Sequence, residues 1–484
     1  MSIRTLFSRS AVAATLATAI CFLLSTDLGT IGPLILLAPV PILLFALRCG
    51  STLRVAIAAF LARVIGALGI AFAYGDVLPP LPLALEFVVL ASQFTVAVLA
   101  TRWASRRLPP WATALLFASL LIALEFLLSL RAPHGSFGAL GYALIQVLPL
   151  AQVASIGGLA AVGFIAALVP ASIAMLVFQP QQWRSMAALA AIPLALSLAF
   201  GAWRLAQPYD SHTRVGLASI DSLTAHSLRG SEQANAVTRE YERVLESFRN
   251  QNLSQIVLPE RVFLANPNDQ HASQTLQSAA DELNVRIVAG FDDTDAAGLH
   301  RNTARTFTPH APLHVYAKRK LVPGLELLTP GNQPLLLHDR GIAICKDMDF
   351  PALFRDYGNG GVRLLLVPAW DFVKDGRLHS RMAVMRGIEN GFAVARAAAT
   401  GRLTVSDAYG RIIAEAVTSR DQPVTLVAEV GLTTAGTLYS RIGDVFAWLL
   451  VLMTAALLVW SGLISAGAPQ MQGRLHAEST PPAA

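Results

Sequence analysis

Gly341-Ile-Ala-Ile-Cys345-Lys-Asp-Met-Asp-Phe350 brings a single cysteine to the end of a predicted strand made of small and β-branched residues. A lone cysteine after a strand is weak support for catalysis, because free cysteines usually pack as small hydrophobic side chains. Strand and helix patterns alternate on both sides of this stretch, within residues 210–436. That alternation predicts an α/β layered fold whose strands are buried on both faces.

The predicted elements of this region come from apolar runs of strand length and from amphipathic, charge-rich segments of helix length. Strands are predicted at 214–221, 256–260, 285–291, 341–344, 362–367 and 424–430, helices at 231–251 and 276–283, and a hairpin at 403–415 with Tyr409 and Gly410 at its turn. The region is long enough to bury a complete core.

The composition of the chain indicates a membrane protein. Of its 484 residues, 54% are hydrophobic and only 14% are charged, whereas a soluble domain carries roughly 25% charged residues. The net charge of +6 comes without a cluster of basic and aromatic residues. The sequence therefore excludes nucleic acid as a partner, and the net positive charge is attributed mainly to arginines that flank the apolar segments.

Eight apolar segments approach the roughly 20 residues that a helix needs to cross a bilayer. They lie at 11–26, 30–47, 53–75, 81–100, 111–130, 152–178, 185–205 and 443–465. Six further spans follow the first, which is therefore interpreted as an uncleaved helix rather than a leader peptide. The predicted organisation is a seven-span domain, a catalytic domain, a last transmembrane helix and a disordered cytoplasmic tail, at residues 1–209, 210–436, 437–466 and 467–484.

The distribution of arginines predicts the orientation of these spans. With a cytoplasmic N-terminus, nine arginines face the cytoplasm and only Arg131 lies in the short loops opposite: Arg4, Arg9, Arg48, Arg54, Arg102, Arg106, Arg107, Arg184 and Arg474. Positive residues collect on the cytoplasmic side of membrane proteins. We therefore expect a multi-pass protein of a bacterial-type inner membrane, with both termini in the cytoplasm and the catalytic domain on the periplasmic side.

Three side chains at strand edges form a chemically coherent set. Glu260 follows an apolar strand and a proline, Lys318 follows Val-Tyr-Ala, and Cys345 is the one cysteine that does not lie in or beside an apolar segment. A carboxylate can deprotonate a thiol, and an ammonium can stabilise the thiolate and an oxyanion. Each residue alone could be a surface charge or a buried thiol, but the set favours nucleophilic catalysis. The sequence has no metal-ligand spacing and predicts neither a metal nor a cofactor.

Residues 212–432 resemble the nitrilase or carbon–nitrogen hydrolase superfamily. The resemblance rests on Leu258-Pro259-Glu260, the run from Lys318 to Pro323, Ile344-Cys345, Pro368-Ala369-Trp370, and the segment from His379 to Gly401. It implies a four-layer α-β-β-α sandwich with Glu260, Lys318 and Cys345 as the catalytic triad.

The whole chain resembles the apolipoprotein N-acyltransferase family, in which such a domain lies between seven spans and one more. This resemblance implies a phospholipid as acyl donor, a thioester on Cys345, and the N-terminal amine of a lipoprotein as acceptor. Glu260 would act as general base and Lys318 as oxyanion stabiliser. Glu326 matches an additional active-site glutamate, and Trp370 matches an aromatic residue beside the thiol pocket.

The chain also departs from the pattern of that family. Lys346 and Asp347 follow the cysteine, where the family has an aromatic residue and a glutamate. Lys346 could lower the pKa of the thiol or pair with an aspartate. The glycine-rich loop at 131–142 could be a floor to the active site or a flexible connector. Another amine acceptor, an amidase reaction, or an inactive binding module are alternative functions.

Overall fold

The structure is a computed structural model that describes residues 8–220, 231–420, 422–434 and 436–466. The predicted tail at 467–484 and the arginines Arg4 and Arg474 lie outside the described residues. The protein has two main parts, the helical half, residues 8–205, and the two-sheet domain, residues 211–432.

Six of the eight predicted spans are helices that are long and apolar enough to cross a membrane. They cover Thr52–Tyr74, Pro80–Ala104, Pro110–Ser129, Ala154–Phe178, Pro180–Leu205 and Val445–Ile464. The first two predicted spans are shorter apolar helices, Arg9–Ser25 and Gly32–Arg48. The second of these is interrupted because Pro33, Pro39 and Pro41 lack the N–H that continues a helix.

The helices are numbered α1 to α15 in chain order. In the helical half, α1 to α9 are Arg9–Ser25, Val40–Arg48, Thr52–Gly66, Leu68–Tyr74, Pro80–Ala104, Pro110–Ser129, Leu148–Ala151, Ala154–Phe178 and Trp183–Leu205. Beyond it, α10 to α15 are Ser231–Glu246, His271–Leu283, Arg355–Asn359, Gly376–Asn390, Leu438–Ile442 and Val445–Ala466.

The two-sheet domain contains thirteen described strands. Strands β1 to β6 are Ser211–Ser219, Gln255–Val257, Phe263–Ala265, Arg286–Thr294, His300–Phe307 and His314–Ala317. Strands β7 to β13 are Leu335–Leu337, Arg340–Ile342, Leu364–Ala369, Ala393–Ala398, Arg402–Ser406, Ile412–Val417 and Val424–Leu432. The sequence patterns did not predict β3, β5, β7 or β10, of which β3 and β7 have only three residues each.

The strands form two sheets that pack face to face. The first has the order β13-β1-β2-β4-β5-β6 with β3 beside β4, and the second has the order β12-β11-β10-β9-β8-β7. Their inner faces share one apolar core, which includes Val215 and Val257 from the first sheet and Ile342 and Leu366 from the second. Because β1 pairs antiparallel with β13, the two ends of the domain lie side by side.

Helices cover the outer face of each sheet. Tyr241 of α10 and Leu276 of α11 pack on the first sheet, and Ala383 of α13 packs on the second. This order of layers agrees with the expected α-β-β-α sandwich. The opposite face of α13, with Met385 and Ile388, packs in the core of the helical half. One helix layer therefore joins the two parts of the protein.

Helix α8 contains a kink where it meets the two-sheet domain. Gly158 has φ 66° and ψ −168°, and a Cβ there would lie 2.4 Å from the ring of Tyr439. The helix restarts at Leu159, whose backbone N–H donates to Glu389 Oε1 of α13 at 2.8 Å. Glycine is required at this position because both the backbone conformation and the approach of the tyrosine exclude a side chain.

Candidate active site

Glu260 lies three residues beyond β2, in a backbone turn held between the two sheets. Its N–H donates to the carbonyl of Ala369 in the second sheet at 3.2 Å. The turn passes directly over Gly290 of β4, where a Cβ would lie 2.4 Å from Glu260 Cα. Glu260 is 3% exposed, so the fold places its carboxylate inside the protein rather than on a strand-end surface.

Lys318 follows β6 directly and reaches the same carboxylate. Its Nζ lies 2.7 Å from Glu260 Oε1 and 2.8 Å from Glu326 Oε2. At 1% exposure, Lys318 is a buried ammonium and not part of a solvated loop. The structure therefore brings together Glu260, Lys318 and Glu326 from three different segments.

Asn302 of β5 completes this cluster, and the sequence patterns did not single it out. Its Nδ2 donates to Glu260 Oε1 at 2.6 Å and to Glu326 Oε1 at 2.7 Å. Its backbone carbonyl oxygen accepts from the Lys318 N–H at 2.8 Å. The buried side-chain amide of Asn302 thus holds both carboxylates, and its backbone holds the lysine segment, a role that no local sequence signal marks.

The charges of the cluster stabilise one another. Burial lowers the pKa of Lys318, but Glu260 and Glu326 outweigh burial and raise it above its ordinary value. Burial raises the pKa of Glu326, but Lys318 and three hydrogen-bond donors lower it overall. Because a buried charge needs both a partner and hydrogen bonds, these arrangements keep Lys318 protonated and Glu326 ionised.

Cys345 does not end a strand as predicted, because β8 stops at Ile342 and the cysteine begins a 3-10 turn, Cys345–Asp349. Its φ is +39°, in the left-handed region that non-glycine residues rarely adopt. The thiol donates to the carbonyl oxygen of Trp370 at 3.3 Å. Trp370 therefore lies beside the thiol, in contact through its backbone.

The thiol lies between charges of opposite sign. Burial and the carboxylate of Glu260 raise the pKa of Cys345 well above its ordinary value, while Lys318 and Arg396 lower it. Cys345 as a residue is still partly exposed. At neutral pH the site thus holds a protonated thiol next to a carboxylate and an ammonium.

Arg396 and Asp371 form a second buried ion pair at the site, which the sequence analysis missed. Arg396 Nη1 lies 2.9 Å from Asp371 Oδ2, and the Asp371 N–H donates to the carbonyl of Thr400 at 3.0 Å. Asp371 follows Trp370 in the chain. The pair fixes the segment that presents the Trp370 carbonyl to the thiol.

Asp347 is a buried clamp for the lysine segment. Its Oδ1 accepts from the backbone N–H groups of Arg319 and Lys320 at 3.1 and 2.8 Å, and its Oδ2 accepts from the Tyr316 hydroxyl at 2.7 Å. These bonds tie the turn after Cys345 to the residues on both sides of Lys318. Among the described residues, no hydrogen bond joins Asp347 to the thiol. Asp347 therefore supports the site indirectly, by holding the residues on both sides of Lys318.

Lys346 pairs with an aspartate, which answers one question that the sequence left open. Its Nζ lies 2.9 Å from Asp349 Oδ2 and 3.1 Å from Nδ1 of His134 in the helical half. The side chain is therefore directed towards the 131–142 loop.

The 131–142 loop is packed against the 3-10 turn Cys345–Asp349 and is not a free connector. The N–H and hydroxyl of Ser136 both donate to the carbonyl oxygen of Asp349, at 2.8 and 2.7 Å. The Ser136 hydroxyl also lies 2.7 Å from the Tyr142 hydroxyl. Glu125, an ionisable residue within a predicted span, accepts from the Leu140 N–H.

Two sequence families match this chain in adjacent regions. The apolipoprotein N-acyltransferase N-terminal domain matches residues 18–172, and the carbon–nitrogen hydrolase family matches residues 235–439. The second match contains Glu260, Lys318, Glu326 and Cys345.

Parts of this chain are similar to curated proteins and to solved structures. An apolipoprotein N-acyltransferase of Geobacter metallireducens is 27% identical over 378 residues, which are 69% of this chain and 71% of that protein. One of Shewanella oneidensis is 36% identical over 132 residues, 26% of this chain and 25% of that protein. The solved structure of Saccharomyces cerevisiae Nit3, a member of branch 10 of the nitrilase superfamily, has a TM-score of 0.39 and 19% identity, covering 45% of this chain and 90% of Nit3.

The first family match covers most of the helical half and the second covers most of the two-sheet domain, while the Geobacter protein aligns over more than two thirds of the chain. The chain is therefore an acyltransferase that is similar, over more than two thirds of its length, to an apolipoprotein N-acyltransferase.

Proposed function

We propose that this protein moves a fatty acyl group from a membrane phospholipid to the N-terminal amine of a lipoprotein through a thioester on Cys345. One observation carries the proposal: the Cys345 thiol shares a site with Lys318, which is held between Glu260 and Glu326 at 2.7 and 2.8 Å. A carboxylate base, an ammonium and a thiol are the groups that acyl transfer through a covalent intermediate requires.

In the first step, Cys345 Sγ attacks the carbonyl carbon of the phospholipid ester. Glu260 takes the thiol proton as the S–C bond forms, and Lys318 stabilises the negative charge that develops on the carbonyl oxygen. Both hydrogen-bond donors of Glu260 bind Oε1, so Oε2 is the oxygen that accepts this proton. The ester C–O bond then breaks, and the departing glycerol oxygen takes the proton from Glu260.

In the second step, a neutral amine attacks the carbonyl carbon of the thioester. Glu260 takes a proton from the amine, the C–S bond breaks, and the sulfur leaves as a thiol after taking that proton. The amide product dissociates and the site returns to its starting state. Glu326 and Asn302 hold Lys318 and Glu260 in place through both steps, and Trp370 and Asp347 fix the backbone around the thiol.

We further propose that all eight apolar segments cross the membrane, the shorter helices Arg9–Ser25 and Gly32–Arg48 included. The domains are then residues 1–209, 210–436, 437–466 and a cytoplasmic tail at 467–484. Seven crossings before Ser211 would place the two-sheet domain on the periplasmic side of an inner membrane, in agreement with the arginine distribution. Lipid donor and lipid-anchored acceptor would then both reach the site from the membrane surface.

The test is a transfer assay with purified full-length protein, a phospholipid carrying a labelled acyl chain, and a diacylated lipopeptide. We expect a labelled thioester on Cys345 by mass spectrometry, followed by label on the peptide amine. Cys345→Ala should remove both products, whereas Cys345→Ser should leave at most traces. The alanine variant serves as the control because it removes only the sulfur.

Other outcomes would identify the alternative functions. Thioester formation followed by release of free fatty acid, without peptide labelling, would indicate a hydrolase or another amine acceptor. Absence of any Cys345-dependent label would favour a binding module, and transfer by Cys345→Ala would exclude the thioester.

A further inference from the structure

A direct hydrogen bond joins the helical half to the residue next to the nucleophile. Lys346 is 7% exposed, and its Nζ lies 3.1 Å from Nδ1 of His134, a residue 212 positions earlier in the chain. Asp349 Oδ2, at 2.9 Å from the same Nζ, balances the charge of the ammonium. The 131–142 loop and the turn at Cys345–Asp349 are thus connected through one buried lysine.

The same loop holds the far end of the turn through its backbone. Ser136 donates twice to the carbonyl oxygen of Asp349, at 2.8 and 2.7 Å. Gly135 precedes it with φ +55°, and a Cβ there would lie 2.5 Å from the same oxygen. The loop therefore contacts the turn closely at Asp349 and at Lys346, one residue from the thiol.

The chemistry of the Lys346–His134 bond requires a neutral imidazole. Burial and the charge of Lys346 lower the pKa of His134 to about 4. His134 therefore accepts a hydrogen bond from the ammonium at neutral pH instead of repelling it. Asp349 also lies 3.9 Å from Nδ1 of His379 on α13, so the turn is held from the helical half and from α13.

The backbone of Cys345 needs such support. Its φ of +39° is strained for a residue with a side chain, and strained conformations persist only where the surroundings hold them. The direction of the thiol, and of the peptide that follows it, depends on that conformation.

We propose that Lys346 and His134 are positioning residues through which the 131–142 loop sets the orientation of the Cys345 thiol for attack. This inference rests on the proposed function, since it concerns the rate at which Cys345 is acylated. If the inference is correct, the helical half contributes to the reaction besides anchoring the protein. It does so through the pair of Lys346 and His134, and Lys346 stands at the position where the family resemblance predicts an aromatic residue.

The experiment measures acylation of Cys345 in the full-length protein in detergent, using p-nitrophenyl butyrate as a water-soluble probe. Intact-mass kinetics at several probe concentrations give a maximal rate and a half-saturation concentration for each variant. The variants are Lys346→Met, His134→Ala, the double variant, and two conservative changes, Lys346→Arg and His134→Gln. Lys374→Met is the matched control, because Lys374 also joins the two parts, to Asp76 and Phe72, but is 35% exposed.

We expect Lys346→Met and His134→Ala each to lower the maximal rate about tenfold while the half-saturation concentration stays unchanged. The double variant should be no slower than either single variant, because both remove one interaction. His134→Gln should recover most of the rate, since its amide oxygen still accepts from the ammonium. Lys374→Met should acylate as the unaltered protein does, and thermal midpoints identify any variant that fails to fold.

Several results would overturn the inference. Rates that multiply in the double variant would show that the two residues act independently, and a change in half-saturation alone would indicate binding. A His134→Gln variant as slow as His134→Ala would indicate a merely structural role. If the unaltered protein forms no butyryl-Cys345, the proposed function fails; if it does and all variants match it, only the positioning role fails.

Discussion

The Cys345 thiol lies near carboxylates that oppose its ionisation, above all Glu260, and near cations that favour it, Lys318 and Arg396. Because burial and Glu260 raise its pKa more than Lys318 and Arg396 lower it, the thiol is protonated at rest. A protonated thiol reacts slowly with external reagents, since the thiolate is the nucleophile. In the proposed mechanism, deprotonation is coupled to attack on a bound ester, which would restrict the reactivity of the thiol to substrates.

This charge balance predicts opposite effects of Glu260 and Lys318 on simple alkylation. For the unaltered protein, carbamidomethylation of Cys345 by iodoacetamide should rise about tenfold per pH unit from about pH 6 to about pH 9, because the thiolate fraction rises in that proportion below the pKa. Glu260→Gln should speed alkylation, since it removes a negative charge, although it abolishes acyl transfer. Lys318→Met should slow alkylation. Peptide mass spectrometry measures the modified fraction.

A plateau of the alkylation rate beginning near neutral pH would contradict this prediction, because it would reveal a preformed thiolate. Equal rates for the two variants would do the same, since the effect of each charge would then be absent. Cys345→Ala identifies any background labelling at Cys21 and Cys49, the other free cysteines.

The structure identifies Asn302 as a further residue of the site, beside the proposed triad. We expect Asn302→Ala to reduce the rate of Cys345 acylation by about tenfold to a hundredfold, since hydrogen bonds to charged groups contribute about 1.5–3 kcal/mol each. Acylation kinetics with labelled phospholipid measure the effect. Asn268→Ala is the control, because Asn268 is exposed on the surface of the same domain. A rate for Asn302→Ala equal to that of the control would contradict the bridging role.

The residues of the site differ in how far the sequence could predict them. Glu260, Lys318 and Cys345 could be selected because their chemistry is complementary and each follows an apolar run. Asn302 could not, since an asparagine within a strand carries no signal until its two carboxylate partners are known. The partner of Lys346 was equally hidden, because His134 is distant in sequence and belongs to a loop of the helical half.

The kink in α8 is the element where the helical half and the last helices of the chain fit together. Gly158 has a backbone conformation restricted to glycine, and the ring of Tyr439 occupies the space of its missing side chain. Glu389 on α13 accepts a hydrogen bond from the N–H of Leu159, the first residue beyond the kink. The kink thus joins α8, α13 and α14 at one point.

We predict that Gly158→Ala destabilises the protein by about 2 kcal/mol or more, from backbone strain and the displaced tyrosine ring. Thermal unfolding in detergent should show a lower midpoint than for the unaltered protein. Gly462→Ala is the matched control, because Gly462 lies in α15 with nothing near the position of a Cβ, and alanine favours a helix. Equal midpoints for the two variants would contradict the proposed fit.

At the scale of elements, the sequence predicted the long apolar helices and most strands, and it was less accurate where local chemistry interrupts a pattern. The apolar run at 30–47 has the composition of a span, but its prolines divide it into a 3-10 turn and a helix of nine residues. The strand before Cys345 ends early because the turn that carries the thiol requires a positive φ. Hydropathy alone contains neither feature.

The whole molecule places one active site against an apolar helical bundle, and the proposed orientation can be tested directly. In a background without the three native cysteines, Arg243→Cys should react with a membrane-impermeant maleimide in spheroplasts whose inner membrane is intact. Arg106→Cys should react only after permeabilisation, because it is expected to face the cytoplasm. Both arginines are exposed at the protein surface. The reverse pattern of labelling would invert the orientation.

The contact between the two parts of the molecule is what the sequence could least predict. Composition distinguishes an apolar half from a charged half, but it gives no information about the packing of α13 on α8 or the contact of Ser136 with Asp349. The glycine-rich loop could be interpreted as a floor or as a connector until those bonds were known. Its contact with the turn Cys345–Asp349 can be recognised only in the three-dimensional structure.

The pairing of β1 with β13 has a consequence for how the chain is made. Ser219 pairs with Val424, so one edge of β1 has no partner until roughly 200 further residues have left the ribosome, an interval of about 10 to 40 seconds at ordinary rates of synthesis. An unpaired strand edge attracts other chains, which makes this interval the period in which chaperones would protect the nascent domain. Because α15 begins at Val445, soon after β13 ends, closure of the sheet and insertion of the last helix become almost a single event in biosynthesis.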